Sequence, residues 1–191
     1  IRNPVGTAPL RRSVRRDQTV AISVCDITRP MPSKSVLPVL LGEMAHVPND
    51  QVTILVATGT HRPNSAQELQ AILGEDVTRS YRVVNHDAFD AAGLKCGSDT
   101  PGGIPVWLNR LWLEADFRIT TGFVEPHFFA GFSGGPKMVA PGLAGFDTTM
   151  GLHSAGLIGH PSSTWGVTEG NPIHQEIRHI ARQTRVDFSV D

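Results

Sequence analysis

Short apolar, β-branched runs alternate along this chain with segments of helical spacing. Thr19–Val24 (TVAISV) and Val52–Ala57 (VTILVA) read as buried strands, Tyr81–Val84 as a shorter one, and Phe117–Thr121 and Val186–Val190 as two more. Between the first two, Val36, Leu37, Leu40, Leu41 and Met44 recur at helical intervals and predict a helix over Ser35–Ala45. Ser65 followed three residues later by Glu68 is a capping-box pattern, opening a second helix that ends near Leu73. Val106–Leu113 and Ile173–Thr184 are further helix candidates, the latter with Pro172 at its first turn. Strand–helix–strand alternation implies parallel strands joined by right-handed crossovers. The expected fold is therefore α/β, a predominantly parallel sheet with helices on both faces.

The polar residues fall in a telling place. Asp26-Ile27-Thr28-Arg29-Pro30 follows the first predicted strand, and Thr58-Gly59-Thr60-His61-Arg62-Pro63 follows the second. Asn85-His86-Asp87 follows the third, and Thr121-Gly122-Phe123-Val124-Glu125-Pro126-His127 the fourth. In an open α/β sheet the carboxyl ends of parallel strands form one edge, and ligands bind in the crevice outside it. The pattern locates a site at that edge.

Composition narrows the picture. A chain of 191 residues with 40% apolar and 18% charged positions can bury one proper core. Its net charge of −1 excludes a general nucleic-acid or membrane-surface binder. The charge is uneven, because Arg2, Arg11, Arg12, Arg15 and Arg16 crowd the first sixteen residues without an acid. Residues 1–18 are accordingly expected to be a basic, solvated or partner-facing arm, and 19–191 the α/β domain. Most of the nineteen glycines and fourteen prolines fall in the second half, which should hold long ordered loops. Cys25 and Cys96 form no CxxC pattern and fit a reducing compartment, the cytoplasm. No apolar run approaches the length of a membrane span. The chain opens at Ile1 without methionine and ends in what reads as a strand cut short, as a piece of a longer protein would.

Three groups of residues carry candidate chemistry. Ser133-Gly134-Gly135-Pro136-Lys137 has the glycines and helix-start lysine of a phosphate-cradling loop, without satisfying GxxxxGK[ST]; the alternative is a tight turn with a surface lysine. His61, His127 and His153 sit in glycine- or proline-rich surroundings; together they could hold zinc, or one could ligate a metal whose other ligands come from a cofactor. Asp26 and Arg29 read either as a cap with a local ion pair or as an anion-binding arginine positioned by the aspartate, and Arg62 could bind an anion in the same way. His46, His160, His174 and His179 read as structural, and His86 is open between a turn and a site.

Taken together, DITRP at Asp26–Pro30, GTHRP at Gly59–Pro63, EPHFFAGFSGGPK at Glu125–Lys137, PGL at Pro141–Leu143 and LHS at Leu152–Ser154 resemble the lactate racemase family, the nickel-pincer-nucleotide enzymes. The likeness runs from NPVG at Asn3–Gly6 to GNPIH at Gly170–His174 and concerns that family's amino-terminal domain. It implies that Lys137 tethers a pyridinium-derived pincer nucleotide covalently and that His153 completes the coordination of Ni(II), whose remaining ligands are two sulfurs and a carbon of the cofactor. It makes His61 and His127 the acid and base on opposite faces of the substrate, and Asp26 and Arg29 polar residues of the pocket. The implied reaction moves the hydroxyl proton of a 2-hydroxy acid to a histidine while hydride passes to the cofactor and returns on either face. The implied partners are the acid itself, a carboxy-terminal domain that supplies an anchoring lysine and aromatic residues, and the enzymes that make the cofactor. Two other classes stand beside this one: a non-catalytic nucleotide- or phosphate-binding module using SGGPK and Arg29, and a mononuclear zinc hydrolase on the three histidines.

Overall fold

The computed structural model describes the whole of Ile1–Asp191. Its strands are β1 (Val20–Cys25), β2 (Val52–Ala57), β3 (Arg82–Asn85), β4 (Leu94–Cys96), β5 (Trp107–Asn109), β6 (Phe117–Thr121), β7 (Pro126–His127), β8 (Gly131–Phe132) and β9 (Phe188–Val190). Its helices are α1 (Leu10–Ser13), α2 (Ser33–Glu43), α3 (Ala66–Leu73), α4 (Glu75–Ser80), α5 (Arg110–Glu114), α6 (Phe146–Leu152), α7 (Ala155–Ile158) and α8 (Pro172–Thr184). Five strands pair in the order β3-β2-β1-β6-β9, every pair parallel. The expected α/β architecture is present. No helix is long and apolar enough to cross a membrane.

Alternation along β1 divides the core in two. Val20, Ile22 and Val24 enter one cluster with Leu37, Leu40 and Leu41 of α2 and Leu73 of α3. Ala21 faces the other, with Trp112 of α5, Leu152 of α6 and Ile173, Ile177 and Ile180 of α8. Helices therefore cover both faces, as a central parallel strand requires. On the second face β1 carries only small side chains, Ala21, Ser23 and Cys25. The backbone of the glycine-rich segment comes down onto them: Ser23 Oγ donates to the Met138 carbonyl at 2.7 Å.

Several predicted elements hold with shifted ends, and two expectations need correction. The capping box at Ser65 is formed in full, Ser65 Oγ accepting from Glu68 N and Ser65 N donating to Glu68 Oε2. Val106–Leu113 is not one helix. Trp107–Asn109 pairs antiparallel with β4, and the Asn109 side chain then caps α5 by accepting from the Leu111 and Trp112 amides. A short segment with both periodicities left this choice to the cap. Nor is the first stretch merely a solvated arm. Leu10 and Val14 are buried in the first cluster, and Arg2 and Arg11 both bond the buried Glu43 carboxylate, at 2.6 and 2.9 Å, holding it below the usual carboxylate range. The glycine-rich second half does hold ordered loops, notably Gly122–Gly145, with only the β7–β8 hairpin and a 3₁₀ turn at Gly135–Met138 inside it.

His86 is a structural pin. Buried just past β3, it donates from Nε2 to the Ala144 carbonyl at 2.9 Å and accepts at Nδ1 from the Asn109 amide at 3.1 Å. Burial lowers its pKa. A histidine whose folded pKa lies below its unfolded value contributes stability that is complete above about pH 6.5 and lost as pH falls through the folded value. His86→Leu, which leaves the Ala144 carbonyl and Asn109 amide unpaired, is expected to cost about 2–4 kcal/mol in urea unfolding at pH 7.5. The same variant should lose less stability than the parent between pH 6.5 and 5; an unchanged acid slope would show that His86 is not the group responsible.

Candidate active site

Two features of the sheet bring the polar segments together. The strand order reverses between β1 and β6, so the chain leaving them diverges and opens a crevice there. The β1–β2 register runs from Val20↔Val52 to Cys25↔Ala57, so both strands end level. Asp26 and the Thr58–His61 turn therefore emerge side by side. The loop after β6 folds back as the β7–β8 hairpin and brings His127 across the same edge. A cleft of about 170 Å³ results, lined by Asp26, Arg29, His61, His127, Lys137 and His153.

The floor of the cleft depends on glycine. A Cβ on Gly142 would lie 2.9 Å from Ala57 Cβ and 2.9 Å from the Lys137 carbonyl. The Gly59 amide donates to the Gly142 carbonyl at 2.9 Å, tying the second strand's turn to the loop that follows Lys137.

Each histidine of the cleft has its Nδ1 committed differently. His61 Nδ1 lies 2.8 Å from Asp26 Oδ2, so it carries the proton and Nε2 keeps its lone pair in the neutral ring. His153 Nδ1 lies 2.6 Å from the Thr149 carbonyl, which only accepts; its Nε2 is likewise a free lone pair. His127 Nδ1 instead accepts the Ala130 amide at 3.3 Å, so the proton of its neutral form is on Nε2. The His127 ring stacks on Phe128 at 4.8 Å and meets the edge of Phe129, whose own ring also packs against His153 at 5.1 Å. Burial, then Lys137, Arg29 and His153, lowers the His127 pKa to about 4. Burial and Arg29 likewise lower Lys137 to about 8. Cys25 lines the cleft too, but burial beside Asp26 raises its thiol to about 11, which excludes a thiolate near neutral pH.

Several expected site residues have other work. Asp26 does not position Arg29. Its Oδ1 accepts from Thr28 and its Oδ2 faces His61, while the Arg29 guanidinium lies 3.7 Å from Glu125. Arg62 is not in the cleft, because both its terminal nitrogens bond Glu68, at 2.8 and 2.6 Å, and the charge-assisted fork is filled. Ser133, Gly134 and Gly135 do not line the cleft. Ser133 Oγ donates to the Phe123 carbonyl and accepts the Glu125 amide, fixing the loop below His127. Gly134 and Gly135 do adopt left-handed φ values of 69° and 47°, but the Gly135 amide is taken by the Asp191 carboxylate at 2.7 Å. The sequence shows that this loop needs glycine and not which way its amides point. That carboxylate stands where a phosphate cradled by the loop would meet the Gly135 amide. No three His, Cys, Asp or Glu side chains gather as a metal-binding group, so a zinc site built from the three histidines is not formed.

The model of the lactate racemase N-terminal domain matches residues 1–166. The chain belongs to the lactate racemase N-terminal domain family. It is 37% identical to the lactate racemase of Thermoanaerobacterium thermosaccharolyticum over 189 residues, 98% of this chain and 44% of that protein. It is also 37% identical to the lactate racemase of Lactiplantibacillus plantarum, over 99% of this chain and 45% of that protein. The chain thus spans less than half the length of these curated relatives. Its fold superposes on the lactate racemase apoprotein from T. thermosaccharolyticum with a TM-score of 0.92 at 36% identity, over 97% of this chain and 45% of that one. A crystal structure of a Thermotoga maritima protein matches with a TM-score of 0.78 at 25% identity, over 91% of this chain and 46% of that one.

Sequence reasoning missed some of what a lactate racemase N-terminal domain places around the cleft. Thr149 lines it four residues before His153, and Phe129 separates His127 from His153. Asn171, fully buried, donates to the Phe129 and Val167 carbonyls and caps α8 through the His174 amide. Pro172 marks the helix start in the sequence, but nothing there marks Asn171 as its cap or shows the reach of that side chain back to Phe129.

The depressed His127 pKa is directly measurable. In histidine NMR titrations of the unloaded protein, His127 should titrate near 4. Phe128→Ala opens one face of the ring and should raise that value by about one unit, since desolvation is the leading cause. Lys137→Gln should also raise it. A His127 titration near 6.5 in the parent would remove the basis of both expectations.

Proposed function

We propose that this chain is the cofactor-holding half of a 2-hydroxy-acid racemase or epimerase, acting on lactate or a related acid, with a nickel-pincer nucleotide held by Lys137 and His153. The observation that carries this reading is the meeting of four differently disposed groups around one cleft: a softened lysine amine, a histidine with a free Nε2, and two further histidines in opposite tautomers. The relatives' names support the substrate class.

The residues fit the cofactor. With its pKa near 8, roughly a tenth of Lys137 is free amine at pH 7, against less than a thousandth for an unperturbed lysine. The Thr149 carbonyl holds His153 with Nε2 outward, the orienting bond that metal-ligating histidines make through their other nitrogen. A single protein nitrogen suits a metal whose other ligands arrive with the cofactor. When bound, the nickel-pincer nucleotide supplies a reversible hydride acceptor for the substrate's α-carbon, chemistry no side chain here offers.

The rest falls to the chain. His61 accepts the hydroxyl proton at Nε2, and the Asp26 carboxylate at Nδ1 holds the ring in place and stabilises the imidazolium that forms. His127, kept neutral, presents Nε2–H to the substrate oxygen from the other strand end. Arg29 offers its guanidinium fork to the substrate carboxylate. Phe128, stacked on His127, and its neighbour Trp165 are both exposed, and the second half of the protein would cover them. The partners in this reading are that second half, the acid, and the enzymes that build the cofactor.

Full-length protein made alongside those enzymes should carry a covalent adduct by intact mass, lost in Lys137→Ala. His153→Ala should keep the adduct and lose nickel. His61→Ala and His127→Ala should keep both and lose turnover by about 10²–10⁴-fold. A protein with no adduct on Lys137 would sink the proposal, and nickel lost from His127→Ala but kept in His153→Ala would reverse the roles. The 191-residue chain alone, even loaded, should not racemise D-lactate measurably, because half the wall that orients substrate and excludes water is missing.

A further inference from the structure

Thr149 holds a buried hydroxyl with nothing to bond. It sits in the first turns of α6, is 3% exposed, and lines the cleft beside His153. Its backbone is fully used: the amide donates to the Gly145 carbonyl at 3.0 Å, and its carbonyl accepts both the His153 amide and His153 Nδ1. Its Oγ1 has no partner at all. A helical threonine ordinarily folds its hydroxyl back onto the carbonyl four residues earlier, and this one does not. Leaving such a group unpaired is costly, and valine would fill the same volume without that cost.

We infer that the Thr149 hydroxyl is a cofactor-positioning group, reserved for an acceptor atom, oxygen or sulfur, on the group that Lys137 and His153 hold; this rests on the reading given under Proposed function. The placement makes the two ends of one residue act together. The carbonyl sets the direction of His153 Nε2, and the hydroxyl on the Cβ of the same residue fixes what Nε2 binds. The other buried hydroxyl of α6 is not free for this task, since Thr148 Oγ1 accepts the Trp107 amide and donates to the Pro105 carbonyl, while Met150 is exposed and Leu152 is buried in the second core cluster.

Thr149→Val and Thr149→Ser in the full-length protein test this by two readouts that oppose each other. In unloaded protein, Thr149→Val should melt at or above the parent temperature, because it removes an unsatisfied hydroxyl; a clear drop would mean that the hydroxyl has an internal partner and would overturn the inference. In protein loaded by the cofactor-biosynthesis enzymes, Thr149→Val should lose nickel to a chelator roughly tenfold faster than the parent, the scale of one hydrogen bond. Thr149→Ser, which keeps the hydroxyl, should restore the parent rate. Equal rates for valine and parent would also overturn it. Failure of the underlying reading is distinguishable, since the parent itself would then carry no adduct, and the unloaded melting comparison alone would decide whether the hydroxyl is spoken for within the chain.

Discussion

Everything at the site depends on how closely the backbone from Ser133 to Gly142 lies against the second face of the sheet. That approach is possible because β1 presents only Ala21, Ser23 and Cys25 on this face and β2 ends in Ala57. Ser23 Oγ catches the Met138 carbonyl, and Gly142 fits where a Cβ would strike Ala57. Larger side chains would lift the segment and, with it, Lys137 from the strand ends. The core packing and the site are therefore one problem here, because the same face that buries Val139 and Leu143 also sets the height of the lysine.

The same closeness produces the electrostatics. Lys137, Arg29 and His127 share a partly dry cleft in which the Asp26 carboxylate is turned to Thr28 and His61, and Glu125 offsets Lys137 only incompletely. Three potential cations crowd together, which favours the neutral form of His127 and softens Lys137 without discharging most of it near pH 7. Burial adds to this in both cases and is the larger cause. Arg29 cannot discharge, and it remains a fixed positive charge at the cleft. Around Glu43 the arrangement differs, because two largely exposed arginines, Arg2 and Arg11, each bond the one carboxylate directly.

What was legible in the sequence follows from physics that acts locally. Parallel strands announce themselves as β-branched runs, and the segments after those runs carry Asp26, His61 and His127, so the crevice is readable in the sequence. The capping box at Ser65 was equally plain. Side-chain direction was not. Arg62 sits next to His61 in sequence, yet Glu68 turns it away; Gly134 and Gly135 promised an anion nest, yet Asp191, more than fifty residues later, fills it. Partners that arrive from distant segments leave no local trace. Thr149 was invisible for the same reason, since a threonine on a short helix looks ordinary until its hydroxyl is found without a bond.

Four histidines of this chain differ chiefly in what their Nδ1 meets. Asn109 donates to it in His86 and Ala130 N–H donates to it in His127, so both rings are donors at Nε2. A carboxylate accepts from it in His61 and a carbonyl accepts from it in His153, so both are acceptors at Nε2. Within each pair, exposure completes the distinction. His86 spends its Nε2 proton on Ala144 inside the core, whereas His127 keeps its own for the cleft. In the proposed reading, the carboxylate beside His61 suits the base and the carbonyl beside His153 suits the metal ligand. One residue type thus fills a structural role and three distinct places at a site, and the second atom of each ring decides which.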